Sequence, residues 1–498
     1  MDLFSFFLDA LSLENVLLAL VGVIISTVIG ALPGLTATMA IAILVPFTFT
    51  MNPASALILL GAVYTGAIYG GAYSAILLNT PGTPSAIATT FDGFPMAKAG
   101  KGDLAISVAC FASVVGGLVG ALSLLLLAPP LAEVALAFGP IEYFWLSILG
   151  LTLVAALSEG DSIKGIIGAC VGLMLSMVGS AVMGGDMRYT LDSHVLLGGI
   201  GVVPALIGLF CVPVLIDLVA TREEHLELKD KVASIRLREA AGITWRNKVN
   251  VVRSSIIGTV VGILPGAGGS IASLVAYSEA RRADKDPQSF GKGNPNGIIA
   301  SESANNATVG GGFIPTLVLG IPGTPADAVV LGALLIQGVR TGPSLFNEQG
   351  SIVYTFIFGL LIATLLMLPV GLMLGRYAYK SIISVPKALL VPAVAFMTVL
   401  GSYAIHNSID DVIIMFGTGL VGWVLSRFGF PPAPIVLGLI LGPLAEQGFV
   451  QAWMIGSATN NLWGMFFGRP ISLIILALAV LTLFYPTLSR IYHARKSR

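Results

Sequence analysis

The chain has 498 residues, 56% hydrophobic and only 10% charged, where a soluble domain carries roughly a quarter charged residues. That excludes a soluble enzyme. Twenty-six Lys plus Arg balance 26 Asp plus Glu, so there is no basic footprint for nucleic acid, and a mean hydropathy of +0.92 puts most of the surface against a lipid bilayer. Fifty-nine Gly and 27 Pro are high for plain spanning rods and point to close helix packing and helices that break at membrane depth.

The opening MDLFSFFLDALSLEN lacks a basic n-region and a small-residue cleavage site, so the first segment is expected to stay in the mature protein. Apolar segments follow near 15–32, 35–49, 54–78, 104–128, 133–157, 163–183 and 195–218. A polar stretch, 219–253, interrupts them with Arg222, Lys229, Lys231, Arg236, Arg238, Arg246, Lys248 and Arg253. Apolar sequence resumes at 251–264, 267–278, 297–319, 351–375, 388–405, 411–426, a broken 433–467 and 470–489. A full crossing needs about 20 residues, so several of these are half-helices, and the expectation is an all-α polytopic protein of about 11 to 14 membrane segments.

The positive-inside rule places the polar stretch in the cytoplasm. It divides the chain into a first membrane repeat (1–218), a basic linker (219–250) and a second repeat (251–498) with one extra C-terminal span that brings the basic tail 490–498 inside.

The halves repeat one another. Residues 25–34 read ISTVIGALPG and residues 257–266 read IGTVVGILPG, an offset of 232; 79–84 (NTPGTP) matches 320–325 (GIPGTP) at an offset of 241, each with a Gly pair upstream (Gly70 and Gly71; Gly311 and Gly312). Charge reverses between the copies. Asp2, Asp9 and Glu14 precede the first LPG unit, whereas basic sequence, then Arg281, Arg282, Lys285 and Lys292, flank the second. That is the pattern of inverted-topology repeats.

Pro lacks an amide hydrogen and disfavours helix in the preceding residue, so each Pro-Gly-Thr-Pro ends one helix and starts another. Each is expected to be the tip of a helical hairpin. The free amides of the following helix, with its positive dipole end, can hold a carboxylate without Lys or Arg. Candidate cargo-binding residues are Asn79, Thr80, Gly82, Thr83 and Ser85 in the first motif, Gly323 and Thr324 in the second, and Gly34 and Gly266 in the LPG tips, which Thr36, Thr38, Gly268, Gly269 and Ser270 follow. The alternatives are interfacial turns for the PGTP motifs and plain packing kinks for the LPG motifs.

Ionisable residues inside a membrane are functional candidates by default. Asp327 follows the second PGTP where the first repeat has Ala86, and Glu302, Asn305 and Asn306 lead into that hairpin. These four are the candidates for a coupling sodium ion or proton, against a plain helix-dipole role for Asp327. Asp92, with Lys98 and Lys101, is expected at the cytoplasmic interface, and Glu279, Arg281 and Arg282 in a solvated loop. Gly116 with Gly120 and Gly168 with Gly172 have spacing for close helix packing. Cys110, Cys170 and Cys211 read as core. His194, His225, His406 and His493 form no metal motif, and there is no P-loop.

The stretches GALPGLTATMAIAILVPFTF, YGGAYSAILLNTPGTPSAIATTFDGFPMAKAGKG, GILPGAGGSIASLVAYSEARR and GGGFIPTLVLGIPGTPADAVVLGALLIQG resemble the large membrane subunit of the bacterial tripartite tricarboxylate transporters, the TctA family. The resemblance implies secondary uptake of citrate-like carboxylates across the inner membrane, driven by sodium or protons, with no other cofactor. It also implies a small four-span membrane subunit and a periplasmic solute-binding protein as partners, and leaves a homodimer open. An elevator-like carrier is expected by analogy with other inverted-repeat carriers. A passive anion channel could use the same breaks; a membrane enzyme would need a cluster of acids or His that the sequence does not offer.

Overall fold

A computed structural model of the protein describes residues 3–32, 34–157, 162–181, 183–220, 236–378 and 387–496. Asp2, Pro33, Arg222, His225, Lys229, Lys231 and Arg498, all named above, lie outside them.

Helix α1 (Leu3–Ala10) precedes α2 (Leu13–Ala31), which starts where the Ser12 hydroxyl accepts the Asn15 amide. After the first LPG, α3 (Ala37–Leu44) runs into a 3-10 turn. An Asn-Pro start opens α4 (Pro53–Leu78), and Asn79 closes it in the left-handed conformation. A 3-10 turn at Pro84–Ala86 leads to α5 (Ile87–Lys98), then α6 (Gly102–Ala135), α7 (Pro140–Leu157) and α8 (Ser162–Ser176). The one departure from all-α among the described residues is a two-residue antiparallel pair, β1 (Gly179–Ser180) with β2 (Met187–Arg188). Next come α9 (His194–Leu197) and α10 (Val202–Ala220).

The second half opens with α11 (Leu237–Arg246) and α12 (Lys248–Ile263). The LPG break follows, then α13 (Gly268–Ala283). Another Asn-Pro start opens α14 (Pro295–Leu319), Gly320 closes it left-handed, and α15 (Pro325–Ile336), α16 (Leu345–Glu348) and α17 (Gly350–Met373) complete the pattern. The C-terminal helices are α18 (Lys387–His406), α19 (Ile409–Arg427), α20 (Pro432–Ala458), α21 (Leu462–Phe467) and α22 (Pro470–Lys496). The stretch 433–467, expected to be broken, is continuous helix to Ala458 despite Pro443 and breaks at 459–461 before α21. One expectation changes here: Glu279, Arg281 and Arg282, expected in a loop, end α13, with Glu279 paired to Arg282 on the same helix.

Eight described helices are long and apolar enough to span a membrane, so this is a multi-pass membrane protein. By contact the chain forms two compact units, each drawing on both sequence halves: Met1–Ala132 with Val214–Gly401, and Glu133–Pro213 with Ser402–Arg498. In the second, α7 buries Glu142, whose carboxylate accepts from Arg469 at 2.7 Å, Ser472 at 2.5 Å and the Gly139 amide at 2.8 Å. There the Gly168 and Gly172 face of α8 meets α20 at Pro434 and Ile435.

In the first unit the same backbone contacts occur twice. A Cβ on Gly30 would overlap the Ala67 carbonyl oxygen, and one on Gly70 would lie 2.5 Å from that of Thr27. At the matching positions a Cβ on Gly262 would lie 2.8 Å from the Thr308 oxygen, and one on Gly311 2.5 Å from that of Thr259. The long outer helices then cross over. Gly116 and Gly120 of α6 pack on Ser303 and Ala307 of α14, while Phe356 and Gly359 of α17 pack on Gly61 and Ile58 of α4.

Because a methyl group at these crossings must push backbone apart, Gly30→Ala and Gly262→Ala should each destabilise the protein by about 1–3 kcal/mol. Thermal unfolding in detergent should show both midpoints falling, whereas Gly242→Ala, with nothing within 4 Å, should leave the midpoint level or raise it.

Candidate functional site

Each break frees main-chain donors and acceptors that lipid cannot satisfy. In the first, the Asn79 and Thr80 amides donate to the Ser74 carbonyl and the Gly82 amide donates to that of Gly71 at 3.3 Å. In the second, the Gly320 amide donates to Thr316 at 3.2 Å and the Ile321 amide to Pro315 at 3.3 Å. The Gly266 amide donates to the Gly323 carbonyl at 2.8 Å, which ties the second LPG to the second PGTP. Gly34 and Gly266 take φ of 92° and 83°, values that glycine alone adopts readily. Each PGTP tip rests on the helix just before an LPG: a Cβ on Gly82 would overlap the Gly30 carbonyl oxygen, and one on Gly323 would sit 2.5 Å from that of Gly262.

The two motifs are not equivalent. In the first, Gly82, Thr83 and Ser85 are buried, with the Thr83 and Ser85 hydroxyls 3.1 Å apart; Asn79 and Thr80 are exposed and stand outside that group. In the second, Gly323 and Thr324 are buried. The Thr324 hydroxyl caps α15: it accepts the Asp327 amide at 3.2 Å and donates to Asp327 Oδ2 at 2.7 Å. The Tyr64 hydroxyl lies 2.8 Å from it as well, so the Thr324 oxygen is fully engaged.

The start of α13 lies between the motifs. A Cβ on Gly268 would touch Thr324 at 3.9 Å, and one on Gly269 would overlap Asn305 Oδ1 and crowd Ser85 Cβ at 2.9 Å. Ser273 donates to the Ser85 carbonyl at 2.9 Å. No side chain caps α13, so its first amides face this gap with the positive end of the helix dipole.

Buried polar atoms nearly always have hydrogen-bond partners. Here Asn305 Nδ2 and Oδ1, Asn306 Oδ1 and Asp327 Oδ1 have none, and all three residues are 0% exposed. Glu302, also fully buried, differs: Thr89 donates to Oε1 at 2.5 Å and Ser113 to Oε2 at 2.8 Å. Among the described residues neither Asp327 nor Glu302 has an ion-pair partner, and no group of three or more His, Cys, Asp or Glu is placed to hold a metal ion. Asp92 is not a solvated interface residue. It is fully buried on α5, where Oδ1 accepts the amides of Gly291, Gly293 and Asn294 and Oδ2 accepts the Tyr277 hydroxyl.

Tyr64, Ser273, Thr89 and Ser113 escaped the sequence reading. The 241-residue offset held a signal for Tyr64, since it places that residue opposite Asn305. The hydroxyl residues have no such mark, because only packing brings them to the site.

Eight apolar spans with paired broken helices around buried polar side chains define the class, a multi-pass membrane protein with a polar interior. The family model described as the tripartite tricarboxylate transporter TctA family matches residues 16–437, and the chain belongs to that family of transporters. An uncharacterised 52.8 kDa protein from the TAR-I ttuC′ 3′ region of Agrobacterium vitis is 37% identical over 450 residues, 90% of this chain and 89% of that protein. Another uncharacterised protein, from the TAR-II ttuC′ 3′ region of the same organism, is 37% identical over 227 residues, 44% of this chain and 93% of that protein. No solved structure matches.

Gly269→Ala should displace Asn305 and Ser85 and lower solute uptake by at least about tenfold, since displacement on the ångström scale disables a positioned site. Uptake into vesicles, normalised to inserted protein, checks it; Gly417→Ala, in open space, should transport normally.

Proposed function

We propose that this chain is the large membrane subunit of a tripartite carrier of the bacterial inner membrane, taking up citrate-like di- or tricarboxylates with a sodium or proton gradient. Its partners are the small membrane subunit and the periplasmic solute-binding protein. One observation supports the reading above the rest: the buried, unpartnered carboxamide of Asn305 beside Ser85 and Gly269, where the first PGTP meets the start of α13. The donors there are neutral amides, hydroxyls and a helix N-terminus. They can hold an anion and release it, where a buried Lys or Arg would hold it too tightly.

The second motif suits the opposite charge. Asp327 stands in the first turn of α15 and repels an anion, while its free Oδ1 is a hard oxygen ligand of the kind a sodium ion takes. We place the carboxylate at Gly82, Thr83, Ser85, Asn305 and the α13 start, and the coupling cation at Asp327. Compensation is needed because each uncompensated charge crossing 100 mV costs or yields about 2.3 kcal/mol. The matched glycine contacts of the two halves support inverted repeats, and the lodging of both motifs in one compact unit supports an elevator-like motion of that unit.

Reconstitution with both partners, screening di- and tricarboxylates while varying sodium and pH, tests the whole reading. Accumulation above equilibrium that collapses with the gradients is expected; uptake that only equilibrates, gradients present or absent, would identify a passive anion channel. Asp327→Asn should shift the cation dependence of uptake at least about tenfold, the loss of one charged ligand, and an unchanged sodium and pH profile would return Asp327 to a capping role.

A further inference from the structure

Glu302 is a buried carboxyl group that the site above does not use. Its two oxygens meet the hydroxyls of Thr89 on α5 and Ser113 on α6, and Thr89 lies 3.0 Å from the Ser301 hydroxyl. Ser301 in turn donates to the Gly297 carbonyl at 3.0 Å, one turn back along α14. No atom of these four side chains is among the unpartnered ones, in contrast to Asp327 and Asn305. Cys110 stands on α6 three residues before Ser113.

We propose that Glu302 is a proton-carrying group, separate from the cation site at Asp327, and that Thr89 and Ser301 are its relay.

A hydroxyl both donates and accepts, so this array satisfies either protonation state without moving a heavy atom. With Glu302 ionised, Thr89 and Ser113 each donate to it, and Ser301 donates to Thr89. With Glu302 protonated, its own O–H donates to Thr89, Thr89 donates to Ser301, and Ser301 donates to the Gly297 carbonyl. Uptake through the relay passes the Thr89 hydrogen to Oε1 and the Ser301 hydrogen to Thr89, and the incoming proton stays on Ser301, so each hydroxyl breaks one O–H bond and forms another while the net gain is one proton on Oε1. A sodium ion would need several oxygen ligands turned to one point, and each hydroxyl of the cage is already committed to a hydrogen bond within it.

The outer end of the relay lies near the α13 to α14 loop. Gly297 packs against the Asp92 carboxylate and the Tyr277 ring, and Asp92 holds the amides of Gly293 and Asn294. Those two residues line a recess of about 510 Å³ together with the charged Asp286 and Lys292, and Asp284 accepts from the Asn296 side chain nearby. The charged and titratable groups at that end include Asp92, Tyr277, Arg281, Asp284, Asp286 and Lys292. The Gly297 carbonyl only accepts, so the proton passes to the Ser301 hydroxyl from the side of this loop.

The role in uptake rests on the transport reading, but the test needs neither cargo nor partner. Infrared difference spectra of the full chain in lipid nanodiscs, recorded across pH, should show a protonated-carboxyl carbonyl band. The band should disappear in Glu302→Gln, persist in Asp327→Asn and shift in frequency in Ser113→Ala, which keeps the acid and removes one donor. Thr89→Val should slow deuterium exchange of the band at least tenfold, and Thr89→Ser should restore it. A band unchanged in both Glu302→Gln and Ser113→Ala, or one that responds to sodium at fixed pH, overturns the proposal. Should wild-type vesicles fail to accumulate carboxylate while the band behaves as described, the transport reading falls and the proton site stands.

Discussion

A helix interrupted inside a bilayer strands main-chain donors and acceptors where no water can reach them, and the rest of this structure follows from how those groups are satisfied. The breaks are satisfied by one another and by neighbouring helix ends: Gly266 by Gly323, Gly82 by Gly71, Thr80 by Ser74. Such pairing demands backbones at nearly van der Waals contact, which is why glycine stands at both sides of each crossing. The glycine content is thus a consequence of building polar breaks in lipid.

On this duplicated frame, single residues supply the chemical differences. Ala86 in one copy is Asp327 in the other, Tyr64 is Asn305, Thr65 is Asn306 and Gly61 is Glu302. The Ala86, Tyr64 and Thr65 exchanges leave alone the glycine and carbonyl contacts at Gly30, Gly70, Gly262 and Gly311, whereas Gly61 gives room to Phe356 and its counterpart Glu302 faces the hydroxyls of Thr89 and Ser113 instead. One hairpin start therefore stays electropositive while the other gains a carboxylate. Two hairpin starts of different charge thus come from one sequence pattern used twice.

The polar groups gather on α14. Ser301, Glu302, Ser303, Asn305, Asn306 and Thr308 are all at most 1% exposed, and they make this helix too polar to count among the eight apolar spans. A helix of this kind is stable in a membrane only where protein surrounds it on every side and meets its hydrogen bonds. Glu302 and Ser301 have that support from α5 and α6. Asn305 lacks it: both polar atoms of its buried amide, beside Ser85 and Gly269, have no hydrogen-bond partner.

The sequence by itself determined the membrane class, the paired LPG and PGTP breaks and the placing of Asp327 and Glu302 at membrane depth, because these depend on local backbone chemistry and on hydropathy. It could not decide which of those residues meet. Asp92 looked like an interface residue next to Lys98 and proved to be a buried fastener of the α13 to α14 loop, since its partners lie some 200 positions along the chain. The saturation of Thr324 by Tyr64, the exposure of Asn79 and Thr80 and the hydroxyl cage around Glu302 were likewise settled only by tertiary packing. Hydrogen bonding reaches about 3 Å in space, and a sequence carries no measure of which distant residues the folded chain brings within it.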